Sequence, residues 1–112
     1  MQYGRYMPGQ ISVTELKQRL DSHADVVLLD VREPEELALA RLPGALHIPM
    51  GEVPGRLHEL DADREIVVFC HHGIRSASVV SYLAQRDFHY VVNLAGGIDA
   101  WSISVDPSVP RY

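Results

Sequence analysis

Cysteine is almost missing from this chain: among 112 residues there is one, Cys70. A single thiol excludes an internal disulfide, a paired CxxC centre and a zinc site built from several thiolates. Long hydrophobic runs are missing as well. The longest apolar stretches, Val26 to Leu29 and Ile66 to Cys70, are only four and five residues long, whereas a membrane-spanning helix needs about 20. The opening segment, MQYGRYMPGQ, has no apolar core of the kind a secretory signal carries. Positive charge is in short supply: Lys and Arg total 10 against 15 Asp and Glu, a formal charge of −5. That balance argues against a general nucleic-acid binder, which needs a positive footprint to displace counterions. It leaves room for a local basic pocket that takes a small anion. Repeats, low-complexity tracts and long linkers are also absent. The expectation is a cytoplasmic protein without membrane or nucleic-acid partners.

What is present is an ordinary globular composition, 46% apolar and 22% charged. The length suits one domain over residues 1–112, with its core at about 10–104 and an irregular tail on the surface. Ser12 and Glu15 are spaced as a capping box. Val13, Leu16 and Leu20 then share one helix face. Residues 25–31 (DVVLLDV) are short, β-branched and apolar, which predicts a strand buried on both faces. Pro34, followed by Glu35 and Glu36, predicts the first turn of a short helix ending before Pro43. Ala45 to Ile48 predicts a brief strand, and Pro54 to Leu60 a short helix with Leu57 and Leu60 inward. Ile66 to Phe69 and Tyr90 to Leu94 predict two further strands. A helix is expected over Ser76 to Gln85, with Ala77, Val80 and Leu83/Ala84 at core spacing. Gly96 and Gly97 read as a turn, and Ile98 and Trp101 as the inward residues of a last helix. Strands alternating with helices predict an α/β fold with a mostly parallel sheet. Ligands bind such folds beyond the carboxyl ends of the strands. Two of those ends, Asp30-Val31-Arg32 and Phe69-Cys70-His71, are therefore of interest.

Cys70 closes a buried strand and precedes a helix. The loop between them, His71-His72-Gly73-Ile74-Arg75, can turn its N–H groups toward one point and form an anion nest. The helix N-terminus and the Arg75 cation both favour a thiolate there. Gly73 permits a backbone conformation that a β-carbon would obstruct, and Ser76 is expected to cap the helix. A lone cysteine at a strand end is often only a small apolar residue. A Gly, an Arg and a helix-capping Ser within the next six residues favour an anion site instead.

In these segments the chain resembles the single-domain rhodaneses, the sulfurtransferase family. DVREPEE (Asp30 to Glu36), LPGALHIP (Leu42 to Pro49), CHHGIRS (Cys70 to Ser76) and NLAGGIDAW (Asn93 to Trp101) match its signatures in order. The resemblance implies five parallel strands flanked by helices on both faces. It also implies that Cys70 attacks the outer sulfur of a small anionic donor such as thiosulfate and holds it as a persulfide. Cyanide, a thiol or a protein acceptor then removes the sulfur, with no cofactor. His71, His72, Gly73, Ile74, Arg75 and Ser76 would bind the substrate, their amides cradling the persulfide and Arg75 holding the donor's oxyanion. Asp30 and Arg32 would support the site walls. Where relatives commonly carry Gly-His before Ile-Pro-Gly-Ala, this chain has Ala40-Arg41-Leu42-Pro43, so no role passes to that histidine. Arg41 is then either a surface residue or an added positive charge near the site mouth.

Two alternatives compete with sulfur transfer. A cysteine phosphatase or arsenate reductase would use a loop one residue longer, and arsenate reduction usually needs a second thiol. A non-catalytic binding module of the same fold would often lack the cysteine. Adjacent His71 and His72 are expected to point apart, which argues against a metal site.

Overall fold

A computed structural model describes residues 9–112. Five strands form one sheet: β1 (Gln10–Ile11), β2 (Val26–Asp30), β3 (Leu46–His47), β4 (Glu65–Phe69) and β5 (Val91–Leu94). Their spatial order is β1-β5-β4-β2-β3, and every pairing is parallel. Three α-helices lie between strands, α1 (Val13–Asp21), α2 (Pro34–Leu37) and α3 (Ile74–Ala84), and a fourth, α4 (Gly97–Ser104), follows β5. The expected α/β architecture is therefore present, with helices on both sheet faces. None of the described helices is long and apolar enough to cross a membrane.

The strands are apolar on both faces because both faces are covered. Leu28 of β2, Val67 and Phe69 of β4 and Val92 and Leu94 of β5 pack with Leu16 of α1 and Trp101 of α4. Leu29, Ile66 and Val68 point the other way, into a second cluster with Val79 and Leu83 of α3. Cys70 continues that second face, as the period-two alternation of a strand requires. The residue after β4 is thereby aimed at the start of α3.

Local signals set the helix boundaries. Ser12 accepts from the Glu15 amide and Glu15 returns a bond to the Ser12 amide, each at 3.0 Å. Pro34 occupies the start of α2. Residues Pro54–Glu59 form a 3₁₀ segment broken at Arg56 rather than an α-helix. Leu57 and Leu60 still pack on the second cluster from it. Helix α3 begins at Ile74, two residues before the expected start. Its buried residues are Ser76, Val79 and Leu83, while Ala84 is exposed. Of the expected inward residues Leu83 is buried and Val80 packs on the second cluster, while Ala84 faces out. Turning Ser76 toward Cys70 fixes the helix phase, and positions three and seven residues further on follow it inward. The tail is irregular, but it does not merely drape the surface: Val109 is buried in the first cluster.

Candidate active site

The residue after β4 turns into α3 through His71, His72 and Gly73. Gly73 stands at the N-cap with φ +101. A β-carbon there would be strained and would press on the Gly96 amide at 3.3 Å and the Leu94 carbonyl at 3.4 Å. The turn aims N–H groups at one sulfur atom. Cys70 Sγ accepts from the Gly73 amide at 3.1 Å, the Ser76 amide at 3.4 Å and the Ser76 hydroxyl at 3.3 Å. Ser76 does not cap the helix as expected. It lies in the first turn, where its amide has no partner four residues back and is free to face the sulfur.

Cys70 is 1% exposed. Burial alone pushes a thiol up. Here the Ser76 hydroxyl and the amides of Ser76, Gly73 and His72 outweigh burial and hold it below its ordinary value. The lowering comes from the loop's own dipoles; the Arg75 cation is not among its leading causes.

A second layer fixes this cradle. Asn93, buried in β5 beside β4, accepts the Ser76 hydroxyl at Oδ1 and donates to the Gly73 carbonyl at 3.1 Å. Its Nδ2 also reaches Gln10 Oε1 at 3.2 Å. One asparagine therefore ties both ends of the turn. The carbonyls of Cys70 and His71 accept from the Ile98 and Asp99 amides at the start of α4, at 2.9 and 3.1 Å. That approach needs Gly97, because a β-carbon there would lie 2.5 Å from both carbonyl oxygens. Asn93 lies within the NLAGGIDAW segment, which assigns it no role. Its signal was a polar residue inside an otherwise apolar strand.

Asp30 and Arg32 form a buried ion pair, 2% and 0% exposed. Arg32 donates to Asp30 through Nε at 3.0 Å and Nη2 at 2.8 Å, to the Ala40 and Glu36 carbonyls, and to the Tyr112 hydroxyl at 3.0 Å. By strand alternation the pair lies on the sheet face opposite Cys70, and it is linked to the loop through both Tyr112 and Glu36.

Arg75 is not a free cation. Both of its terminal nitrogens bind Glu36, at 2.7 and 2.8 Å. Glu36 also accepts from the Tyr112 hydroxyl at 2.8 Å and from the Glu33 amide at 2.9 Å. Arg75, with help from these donors, holds the Glu36 carboxyl down at about 2. The Tyr112 ring stacks on His71, centroids 3.8 Å apart and planes 7° off parallel. Nothing in the sequence marked this tail residue as part of the loop surroundings.

His71 and His72 do not point apart as expected. Their rings lie 3.8 Å centre to centre at 33°, because His71 is sandwiched between His72 and Tyr112. Burial and the His72 charge push His71 below its ordinary value. His72 stands 3.7 Å from Asp99, which is held by Arg111 at 2.8 Å. Ile74 is 80% exposed on the loop rim. Arg41 is exposed.

A five-stranded parallel α/β sheet with one buried thiol cradled at the end of a strand defines the class of fold and site. The chain belongs to the rhodanese-like domain family, whose model matches residues 12–104. It is 42% identical over 96 residues to a sulfurtransferase of Allochromatium vinosum, covering 86% of this chain and 90% of that protein. It is 30% identical over 101 residues to the thiosulfate sulfurtransferase GlpE of Pseudoalteromonas translucida, covering 90% and 95%. A rhodanese-like domain protein from Staphylococcus aureus has the same fold, with a TM-score of 0.80, 34% identity and coverage of 92% and 97%. Likeness to named sulfurtransferases over nearly their full length supports sulfur transfer of the rhodanese type as the general activity.

Proposed function

We propose that the protein transfers sulfane sulfur through a persulfide on Cys70. The observation that carries this reading is the set of N–H and O–H donors aimed at Sγ by Gly73 and Ser76. They lower the thiol's proton affinity, so more of the nucleophile is thiolate at a given pH than in an ordinary cysteine. With thiosulfate as donor, the thiolate attacks the outer sulfur. A Cys70 S–S bond forms, the donor's S–S bond breaks, and sulfite leaves with the bonding electron pair. The enzyme then holds a persulfide anion. Ile74 and Arg75, the first two residues of α3, have amides without intrahelical partners. These are the groups available to the added sulfur and to the charge that develops on it. Cyanide attacking the outer sulfur leaves as thiocyanate; a thiolate acceptor leaves as its own persulfide. Either way the Cys70 thiolate returns. We place the reaction in the cytoplasm, where a lone thiol stays reduced.

His71 and His72 contribute to the loop's shape and Gly73 to its turn. Asp30 and Arg32 act as framework, holding the walls through Ala40 and Tyr112. Two half-reactions sharing one covalent intermediate predict ping-pong kinetics in a thiosulfate and cyanide assay. Cys70→Ser, nearly the same size, should keep the fold and lose turnover to the uncatalysed background. A Ser variant with turnover near that of the parent would refute the mechanism.

A further inference from the structure

The loop is expected to meet its donor with a free arginine, yet the guanidinium groups around it are already matched with carboxylates. Arg75 is paired with Glu36, Arg32 with Asp30 and Arg111 with Asp99. The Arg75–Glu36 pair is the one that matters for a donor, because Arg75 belongs to the loop itself. It is bidentate, the strongest geometry such a pair takes. Glu36 cannot simply swing aside. Leaving Arg75 would also break its bonds to the Tyr112 hydroxyl and the Glu33 amide. Tyr112 is in turn held by Arg32 and stacked on His71. The carboxylate is thus fixed on a loop cation whose charge interacts with the Cys70 sulfur, where it meets any anion that approaches Arg75.

A thiolate attacking an anionic donor already works against like charge. Thiosulfate brings two negative charges, and its oxyanion end needs a cation that here is neutralised. An organic persulfide in its protonated form brings none at the reacting group, and a thiosulfonate brings one. Building on the sulfur-transfer reading, we infer that Glu36 is a specificity-determining residue: by occupying Arg75 it tunes this site toward sulfane donors of low charge, thiol persulfides foremost, and against dianions such as thiosulfate. Tyr112 is the positioning residue that keeps Glu36 on Arg75.

Methanethiosulfonate and thiosulfate test this cleanly. They share the sulfane sulfur and differ by a methyl group in place of one charged oxygen. In both cases Cys70 gains the outer sulfur, and methanesulfinate or sulfite departs with the electron pair. The readout is the ratio of kcat/KM for thiosulfate to that for methanethiosulfonate, with cyanide as acceptor. Glu36→Gln frees Arg75 and should raise the ratio about tenfold, the value of one charge-assisted hydrogen bond regained by the dianion. Tyr112→Phe keeps the ring on His71 and loosens Glu36, so its ratio should move the same way by a smaller factor. Ratios within twofold of the parent in both variants, or a fall in either, would overturn the assignment of Glu36. Intact mass keeps the two readings apart. Parent protein that takes sulfur from both donors while the ratio stays fixed contradicts only the role of Glu36. Parent protein that takes sulfur from neither of them, nor from an organic persulfide, contradicts sulfur transfer itself.

Discussion

Opposite influences meet at the Cys70 sulfur. Burial favours the neutral thiol, while the Ser76 hydroxyl and the amides of Ser76, Gly73 and His72 favour the anion and prevail. The alkylation rate of the free thiol should therefore rise with pH about a midpoint below that of an ordinary cysteine. Ser76→Ala removes the hydroxyl and should move that midpoint upward; an unchanged midpoint would show that the hydroxyl takes no part. The thiol was legible in the sequence because Cys, Gly, Arg and Ser crowd one loop. The role of Ser76 was not, since a serine near a helix start reads equally as a cap. Asn93 and Tyr112 escaped for another reason: each acts across more than 15 residues of chain, and local patterning carries no record of such a contact.

Elements bring those distant residues together, and two joints should be sensitive. Removing one partner of the buried Asp30–Arg32 pair leaves an uncompensated charge, which costs about 3–5 kcal/mol. Asp30→Ala should show a loss of that size in urea unfolding, and a loss under about 1 kcal/mol would mean the pair is not bearing on the fold. At the second joint α4 meets the Cys70 loop at Gly97, with φ +62 and no room for a β-carbon. Gly97→Ala should cost roughly 1–3 kcal/mol and slow sulfur transfer as the Cys70 and His71 carbonyls are displaced. Stability and rate that both match the parent would contradict this contact. At this scale the strands were legible because runs such as residues 26–29 and 66–69 are apolar on both faces. Boundaries were less so. The phase of α3 is fixed by the sulfur it faces, and the 3₁₀ geometry of Pro54–Glu59 leaves the same inward leucines as an α-turn would.

Across the whole molecule, charge pairing couples the mouth of the site to acid stability. Glu36 titrates at about 2 in the folded protein, below its ordinary 4.5. A depressed carboxyl contributes stability that is complete above its unfolded value and is lost as pH falls through the folded one. The Glu36 contribution should therefore fade between about 4.5 and 2. Glu36→Gln should flatten the decline in stability over that window; a decline as steep as the parent's would mean that other carboxylates account for it. The tail joins the same circuit, since Val109 anchors it and Tyr112 bridges Arg32 and Glu36. Composition allowed one compact α/β domain but said nothing of how its last residues return to the loop.

The central claim is a persulfide on Cys70, and intact mass reads it directly. The purified protein is weighed before and after exposure to a sulfane donor, and again after cyanide, alongside Cys70→Ser. A gain of one sulfur atom, lost to cyanide and absent from the variant, is the predicted result. A free, reduced thiol that gains no sulfur from thiosulfate, methanethiosulfonate or an organic persulfide would contradict it.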